Sequence, residues 1–341
     1  CLLSRGLGDV YKRQVYNNTS QNPNTTNRSI TVVVNDGTNN SNTATTTISI
    51  NPVNDISVVT LDNTSSFTEG NTNLSVINNL TITDSDNTTL NAASVTLTNN
   101  LDGITNEKIS LTTTQINDAF NDFGITIDIS TDNVISLSGN SLIANYQTVM
   151  SQIVYNNTSD NPNTTNRTLD IVVNDGTANS TTVSSTISMG AINDAPIIDL
   201  DNTTAGNNFA TSFTEDNPAI AISNAATITD VDNANMTSAT ITLTNNLDGI
   251  TDENIALTAA QITAADGLGI TVNVATDNVI SLSGSSSIAN YQTVINQIVY
   301  NNTSQNPSAT NRSITVLIND GTANSNTATT TISINPVNDI S

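Results

Sequence analysis

Residues 15–57 read VYNNTSQNPNTTNRSITVVVNDGTNNSNTATTTISINPVNDIS, and residues 299–341 repeat them almost letter for letter. A more divergent copy starts at Val154, so VYNNTS occurs at Val15, Val154 and Val299, with spacings of 139 and 145 residues. The intervening sequence keeps step. NDG recurs at Asn35, Asn174 and Asn319, the dipeptide ND at Asn54, Asn193 and Asn338, and FTE at Phe67 and Phe213. TLTNNLDGIT begins at Thr96 and Thr242, and VISLSG at Val134 and Val279. Motifs that return in the same order at a fixed period mark tandem copies of one structural unit. On this register residues 15–56 are the C-terminal part of a truncated repeat, and 57–195 and 196–341 are full repeats. A chain that starts in mid-repeat and stops at a junction is expected to be a fragment of a longer array. Residues 1–14, CLLSRGLGDVYKRQ, contain no Asn or Thr yet hold Arg5, Lys12 and Arg13, and read as an adapter-derived artefact.

Inside each repeat the apolar period is two. Ile30, Val32 and Val34, then Ala93, Val95 and Leu97, then Ile125, Ile127 and Ile129 alternate with other residues, the pattern of half-buried strands. NDG followed by a polar loop and TATTTISI predicts a hairpin. Leu142, Tyr146, Val149 and Ile153, matched by Ile288, Tyr291, Val294 and Ile298, have helical spacing and predict one short helix per repeat. With aromatics at 3% of the chain, Tyr155, Tyr300, Phe67 and Phe213 are the expected large core anchors. The fold class is therefore all-β: tandem β-sandwich repeats in an extended array.

Composition removes several function classes. The chain has no His, no Trp and one Cys, so a Ser-His-Asp triad, an imidazole base and an imidazole metal ligand are absent. A net charge of −23 from 7 basic and 30 acidic residues repels phosphate backbones and anionic membrane surfaces, which argues against nucleic acid as a partner. No stretch is apolar for long enough to span a bilayer as a helix. No nucleophile–base pair or cofactor motif occurs, so the expected role is non-enzymatic.

The acids keep their places where the repeats diverge. Between Gly70 and Thr83 most letters differ from their counterparts, yet Glu69 still matches Glu215, Asp84 matches Asp230 and Asp86 matches Asp232. Asp55 and Asp194 mark repeat junctions, as does Asp339, and Asp36, Asp175 and Asp320 mark each NDG. Oxygen ligands without His or Cys suit a hard cation, and calcium takes six to eight oxygens from carboxylates and carbonyls. An Asp-x-Asp on an extended segment is expected to place both carboxylates on one side of the strand, with a cation between them. For Asp175 and Asp320, in Asn-Asp-Gly, turn formation is the primary role and metal ligation the second. Asp102 and Asp248 read as turn residues, and Glu107 and Glu253 as exposed. Arg28, Arg167 and Arg312, one per repeat, read as salt-bridge partners that fix strand entry.

The junction strings VND and INDAP, the Glu of FTE and the Asp-x-Asp of ITDxDN resemble those of bacterial cadherin-like repeats in large surface adhesins of the VCBS and RTX-adhesin type. The YQxVxxxIVYNNT stretch leading to Arg and NDG is also similar to the end of chondroitin-sulfate-proteoglycan-type repeats. The resemblance covers residues 15–341 and implies cadherin-like or Ig-like sandwiches with calcium at the junctions. Carried over by motif, it implies Asn54, Asp55, Asp84 and Asp86 at the first junction and Asn193, Asp194, Asp230 and Asp232 at the middle one. Glu69 would serve the middle junction and Glu215 the last. The Ala-Pro of the motif survives only at Pro196. The implied function is a calcium-rigidified structural and adhesive segment, secreted or on a bacterial surface, with a cell-surface or matrix receptor and neighbouring repeats of the same chain as partners. The alternative is a receptor- or glycan-binding module whose repeats present binding loops.

Overall fold

The computed structural model describes residues 14–62 and 64–338. Cys1 to Arg13, within the segment read as an artefact, and Asp339 lie outside the described residues. The chain divides into two compact units, one ending at Ala191 and one beginning at Ile192.

The first unit opens with a hairpin, β1 (Arg28–Val32) and β2 (Ala44–Ile48), paired from Arg28 opposite Ile48 to Val32 opposite Ala44. The full repeat follows with β3 (Val58–Thr60), β4 (Thr64–Thr68), β5 (Leu74–Ser75), β6 (Thr81–Thr83), β7 (Thr89–Leu97) and β8 (Glu107–Ser110). Helix α1 (Thr113–Phe123) leads to β9 (Thr126–Asp128) and β10 (Val134–Leu142). Helix α2 (Ile143–Met150) leads to β11 (Val154–Asn157), β12 (Arg167–Asn174) and β13 (Val183–Gly190). A six-stranded sheet runs β4-β13-β12-β7-β10-β9, antiparallel except for the parallel β4–β13 pair. The smaller sheets are β5-β11-β8 and β3-β6.

The second unit repeats the plan. Its elements are β14 (Ile197–Asp199), β15 (Phe209–Thr214), β16 (Ile220–Ala221), β17 (Thr227–Thr229), β18 (Asn235–Leu243) and β19 (Glu253–Ala256), then α3 (Ala259–Gly267). They continue with β20 (Thr271–Thr276), β21 (Val279–Ser287), α4 (Ile288–Ile295), β22 (Val299–Asn302), β23 (Arg312–Asn319) and β24 (Ala328–Asn335). The sheets run β15-β24-β23-β18-β21-β20, β16-β22-β19 and β14-β17.

Strand alternation dictates the layering. β12 buries every second residue, so Leu169, Ile171 and Val173 share a face with Ala93, Val95 and Leu97 of β7 and Ile135 and Leu137 of β10. An apolar sheet face must be covered, and Ile109, Tyr155, Tyr146, Val149 and Met150 from β8, β11 and α2 join it in one core. The expected aromatic anchors are all buried: Phe67 meets Tyr155 edge-on at 5.1 Å between centroids, and Phe213 meets Tyr300 at 5.5 Å. Each full repeat is thus organised around a single hydrophobic core.

The helix predicted from Leu142 and Ile288 spacing is present as α2 and α4, with Tyr146 and Tyr291 buried. The expectation of one helix per repeat is corrected to two. Thr112 caps α1 by accepting from the Gln115 amide while the Gln115 side chain accepts from the Thr112 amide, and Thr258 with Gln261 does the same for α3. These reciprocal boxes satisfy amides that a short helix otherwise leaves bare. The helical period is weak in α3, where Ala265 is the one fully buried residue, whereas α1 carries Ile116, Ala119, Phe120 and Phe123 at helical spacing, with Ile116, Ala119 and Phe123 packed on the core, a signal present in the sequence and passed over.

In each full repeat the recurring arginine is the largest fully buried side chain among the described residues. Arg167 and Arg312 are fully enclosed, and Glu107 and Glu253, expected to be exposed, are enclosed with them. Arg167 Nη2 donates to Asp102 Oδ2 at 2.7 Å and its Nε to Glu107 Oε1 at 2.5 Å. Arg312 pairs likewise with Asp248, at 2.6 Å, and with Glu253. Glu107 Oε2 accepts from the amides of Leu101 and Asp102, and its Oε1 also accepts from Tyr155 OH at 2.7 Å. Asn157 Nδ2 and the Asn163 amide complete Asp102. Burial, followed by the bond to the glutamate, pushes the Tyr155 and Tyr300 hydroxyls well above the ordinary phenol range. Asp102 and Asp248 are therefore counterions as well as turn residues. In the hairpin of β1 and β2, Arg28 donates to the carbonyls of Thr26 and Asn24.

Candidate metal centre

The aspartates retained between repeats meet at the head of each full repeat. In the second unit the loop after β17 begins with Asp230, whose Oδ1 accepts from the amides of Asp232, at 2.9 Å, and Asn233, at 2.7 Å. The Asp-x-Asp is thus not extended, as the sequence suggested; a short acidic side chain captures the amides two and three residues on and folds the segment into a turn. Asp84 does the same for Asp86 and Asn87 in the first unit.

The junction dipeptide clasps this turn. The Asp194 amide donates to Asp232 Oδ2 at 2.6 Å, and Asn193 Nδ2 donates to its neighbour's carbonyl and to Asp320 Oδ2, both at 2.8 Å. Asn233 Nδ2 closes the ring on Asn193 Oδ1 at 2.8 Å. In the first unit Asn54 binds Asp175 Oδ2 at 2.8 Å, the Asp55 amide binds Asp86 Oδ2 at 2.6 Å, and Asn87 reaches Asn54 Oδ1 at 3.3 Å. Asp175 and Asp320 hold their own NDG loops as well, by accepting from the amides two and three residues on. The predicted residues Asn54, Asp55, Asp84, Asp86 and Asp175 are therefore joined in one network, and Asn193, Asp194, Asp230, Asp232 and Asp320 in its counterpart. Asn87 and Asn233 belong to it too; their invariant place after Asp-x-Asp was the available signal.

Glu69 and Glu215 stand elsewhere, just past the parallel strand pair. The Glu69 amide donates to Gly190 O and the Glu215 amide to Asn335 O. Glu215 is buried; its Oε2 accepts from the Val337 amide at 2.7 Å, and among the described residues its Oε1 has no hydrogen-bond partner.

Burial works to raise the Asp175 and Asp320 carboxyls, but the hydrogen bonds from Asn54 or Asn193 and from the loop amides outweigh it and hold both below the usual range. A depressed folded-state value means that the stabilisation is complete above the unfolded value, near 3.8, and is lost as pH falls through the folded one. Asn193→Ala is expected to cost about 2 kcal/mol at neutral pH, as loss of a bond to a charged acceptor does. The gap between variant and wild type in urea unfolding shrinks below about pH 4 as Asp320 protonates. A gap unchanged at pH 3 would show that the carboxylate charge plays no part.

The first aspartate of the turn is held differently in the two heads. Ser57 Oγ donates to Asp84 Oδ2 at 2.7 Å, whereas Pro196 stands at the equivalent place and Asp230 Oδ2 is buried without a partner. Asp86 Oδ1, Asp232 Oδ1 and Asp55 Oδ2 are also buried, with no hydrogen-bond partner among the described residues. Unpaired carboxylate oxygens shielded from water are costly unless a cation completes them, so the donor chemistry fits a hard oxygen-seeking ion. Among the described residues no three acidic, His or Cys side chains are grouped as a ready-made metal cage.

No family model matches the chain. No curated protein matches it. Solved structures do. Extracellular cadherin domains 3–6 of protocadherin gamma B2 align over 90% of this chain and 57% of theirs, at 13% identity and a TM-score of 0.36. Domains 1–5 of the same protein align over 92% and 46%, at 13% identity and 0.37. Mouse cadherin-23 EC22–24 aligns over 91% and 74%, at 12% identity and 0.32. The chain spans about half the length of the first two. No helix among the described residues is long and apolar enough to cross a membrane.

Proposed function

We propose that this chain is a non-enzymatic segment of an extracellular adhesive array, secreted or on a bacterial surface, and that the head of each full repeat binds calcium. One observation carries the proposal: at the head of the second unit Asp230 Oδ2 and Asp232 Oδ1 are buried with no partner, beside a junction dipeptide already clasped to the same turn. Asp230 and Asp232 would hold the ion there, and Asp55, Asp84 and Asp86 in the first unit. Calcium would supply positive charge to carboxylates that otherwise repel one another, in a chain of net charge −23. The residues do the rest. Asn193 and Asn233 fix the junction backbone against the turn, and Asp320 anchors Asn193 from the NDG loop. Stiffening of the junctions by such ions is the mechanical consequence we assign to them, with Glu69 as a further ligand at the middle junction and Glu215 at the last.

The test is thermal unfolding of the full chain in millimolar calcium and in excess chelator. An ion present at about 100 times its dissociation constant adds about 2.7 kcal/mol, a rise of several degrees in melting temperature. Asp230→Asn with Asp232→Asn is expected to abolish most of the rise in the second unit. Identical melts in both conditions would remove calcium from the proposal.

A further inference from the structure

Each head carries a different residue two places after its junction aspartate, Ser57 after Asp55 and Pro196 after Asp194. Strand pairing sets what these residues face. β3 pairs with β6 with Val58 opposite Thr83, and β14 pairs with β17 with Ile197 opposite Thr229, so Ser57 arrives beside Asp84 and Pro196 beside Asp230. In both turns Oδ1 of that aspartate is taken up by the two amides ahead of it, which leaves Oδ2 as the oxygen available to an ion. Ser57, 1% exposed, donates its hydroxyl to Asp84 Oδ2 at 2.7 Å. Proline has neither a hydroxyl nor an amide hydrogen to offer, and among the described residues Asp230 Oδ2 has no hydrogen-bond partner. Asp86 Oδ1 and Asp232 Oδ1 are left over alike in the two turns.

We propose, on the calcium reading above, that the residue two places after the junction aspartate sets the calcium affinity of its head, and that Ser57 holds the affinity of the first head down. A cation that binds Asp84 competes with the serine hydroxyl for one oxygen, so whatever that bond contributes to the ion-free head is subtracted from binding. At Asp230 the sign reverses. There the ion-free head keeps a carboxylate oxygen away from both water and donors, and the ion relieves that penalty when it arrives. Ser57 and Pro196 act through the aspartate beside them and need not touch the ion. Because Asp55 Oδ2 is a further leftover oxygen in the first head, the effect is a change within each head and not a ranking of the two.

Calorimetric titration of calcium into the full chain tests one head at a time. Asp230→Asn with Asp232→Asn silences the second head, and Asp84→Asn with Asp86→Asn silences the first. In the first of these backgrounds Ser57→Ala is expected to tighten calcium binding about tenfold, the worth of one hydrogen bond to a charged acceptor. In the second, Pro196→Ser is expected to weaken it by a similar factor. Melting in excess chelator gives a metal-free readout: Ser57→Ala lowers the melting temperature of the first unit by several degrees, since Asp84 Oδ2 loses its donor. A serine that ligates the ion directly would instead make Ser57→Ala bind more weakly, and that result overturns the proposal. Binding heats that persist with affinities unchanged by both substitutions overturn it too, while leaving the calcium reading intact. Absence of any binding heat in both backgrounds removes the calcium reading itself, and the role of Ser57 with it.

Discussion

Arg312→Met lowers the stability of the second unit by about 3–5 kcal/mol, the cost of breaking a buried ion pair by removing one partner. The guanidinium is fully enclosed between Asp248 and Glu253 and also donates to the carbonyls of Ser308 and Thr310. Methionine fills part of the volume but leaves both carboxylates facing each other away from water, with Tyr300 OH and the amides of Leu247 and Asp248 as the remaining donors to Glu253. At roughly 2–4 °C per kcal/mol for a unit of this size, the melting temperature falls by about 10 °C or more. Calorimetry resolves the affected unit. Arg28→Met is the matched control, because Arg28 is only partly buried and its guanidinium bonds to backbone carbonyls; its cost is expected within about 1 kcal/mol. A triple change of Arg312, Asp248 and Glu253 to apolar residues recovers much of the loss, since the penalty belongs to the stranded charges. If Arg312→Met costs no more than Arg28→Met, the buried network is not what holds this end of the sandwich.

Gly284→Ala is expected to cost on the order of 3 kcal/mol, combining a strained backbone with overpacking. Gly284 lies in β21 at a φ of 129°, and a Cβ there would stand 2.2 Å from the carbonyl oxygen of Gly269. That oxygen belongs to backbone leaving α3, so it cannot swing away as a long side chain would. The Gly284 carbonyl also accepts from the buried Tyr291 hydroxyl at 2.7 Å, which ties strand and helix α4 together. Gly249→Ala separates the two contributions: its φ is 87°, but nothing lies within 4 Å of the added carbon. About 1 kcal/mol is expected there. Chemical denaturation of both variants measures the difference, and equal losses would mean that the close approach to Gly269 relaxes freely. Gly139 and Gly124 repeat the same contact in the first unit, at 2.3 Å.

The strands were legible because their signal is local. Alternation in Leu169 to Val173 or Ala93 to Leu97 needs only one apolar face, and the pleat supplies the period. The helices α2 and α4 were legible through Tyr146 and Tyr291 for the same reason. Helix α3 was not, since a single buried alanine leaves little period; α1 was readable from Ile116, Ala119, Phe120 and Phe123 at helical spacing, and the Thr-x-x-Gln capping boxes were a trace of both. The retained aspartates share one hydrogen-bonded network at each head, but on a turn and not on the extended strand expected, because an Asp that captures the amides ahead of it makes a turn whatever strand precedes it.

By itself, the sequence determined the repeat register, the all-β class, the aromatic anchors and the set of acids that recurs at each head. These follow from periodicity and composition, which are properties of neighbouring residues. Only the tertiary structure decided that Glu107 and Glu253 are interior and that Asn193 bridges Asp320 to the Asp-x-Asp turn. Each of those depends on what lies across the sandwich, tens of residues away in sequence, where desolvation and pairing change what the same letter does.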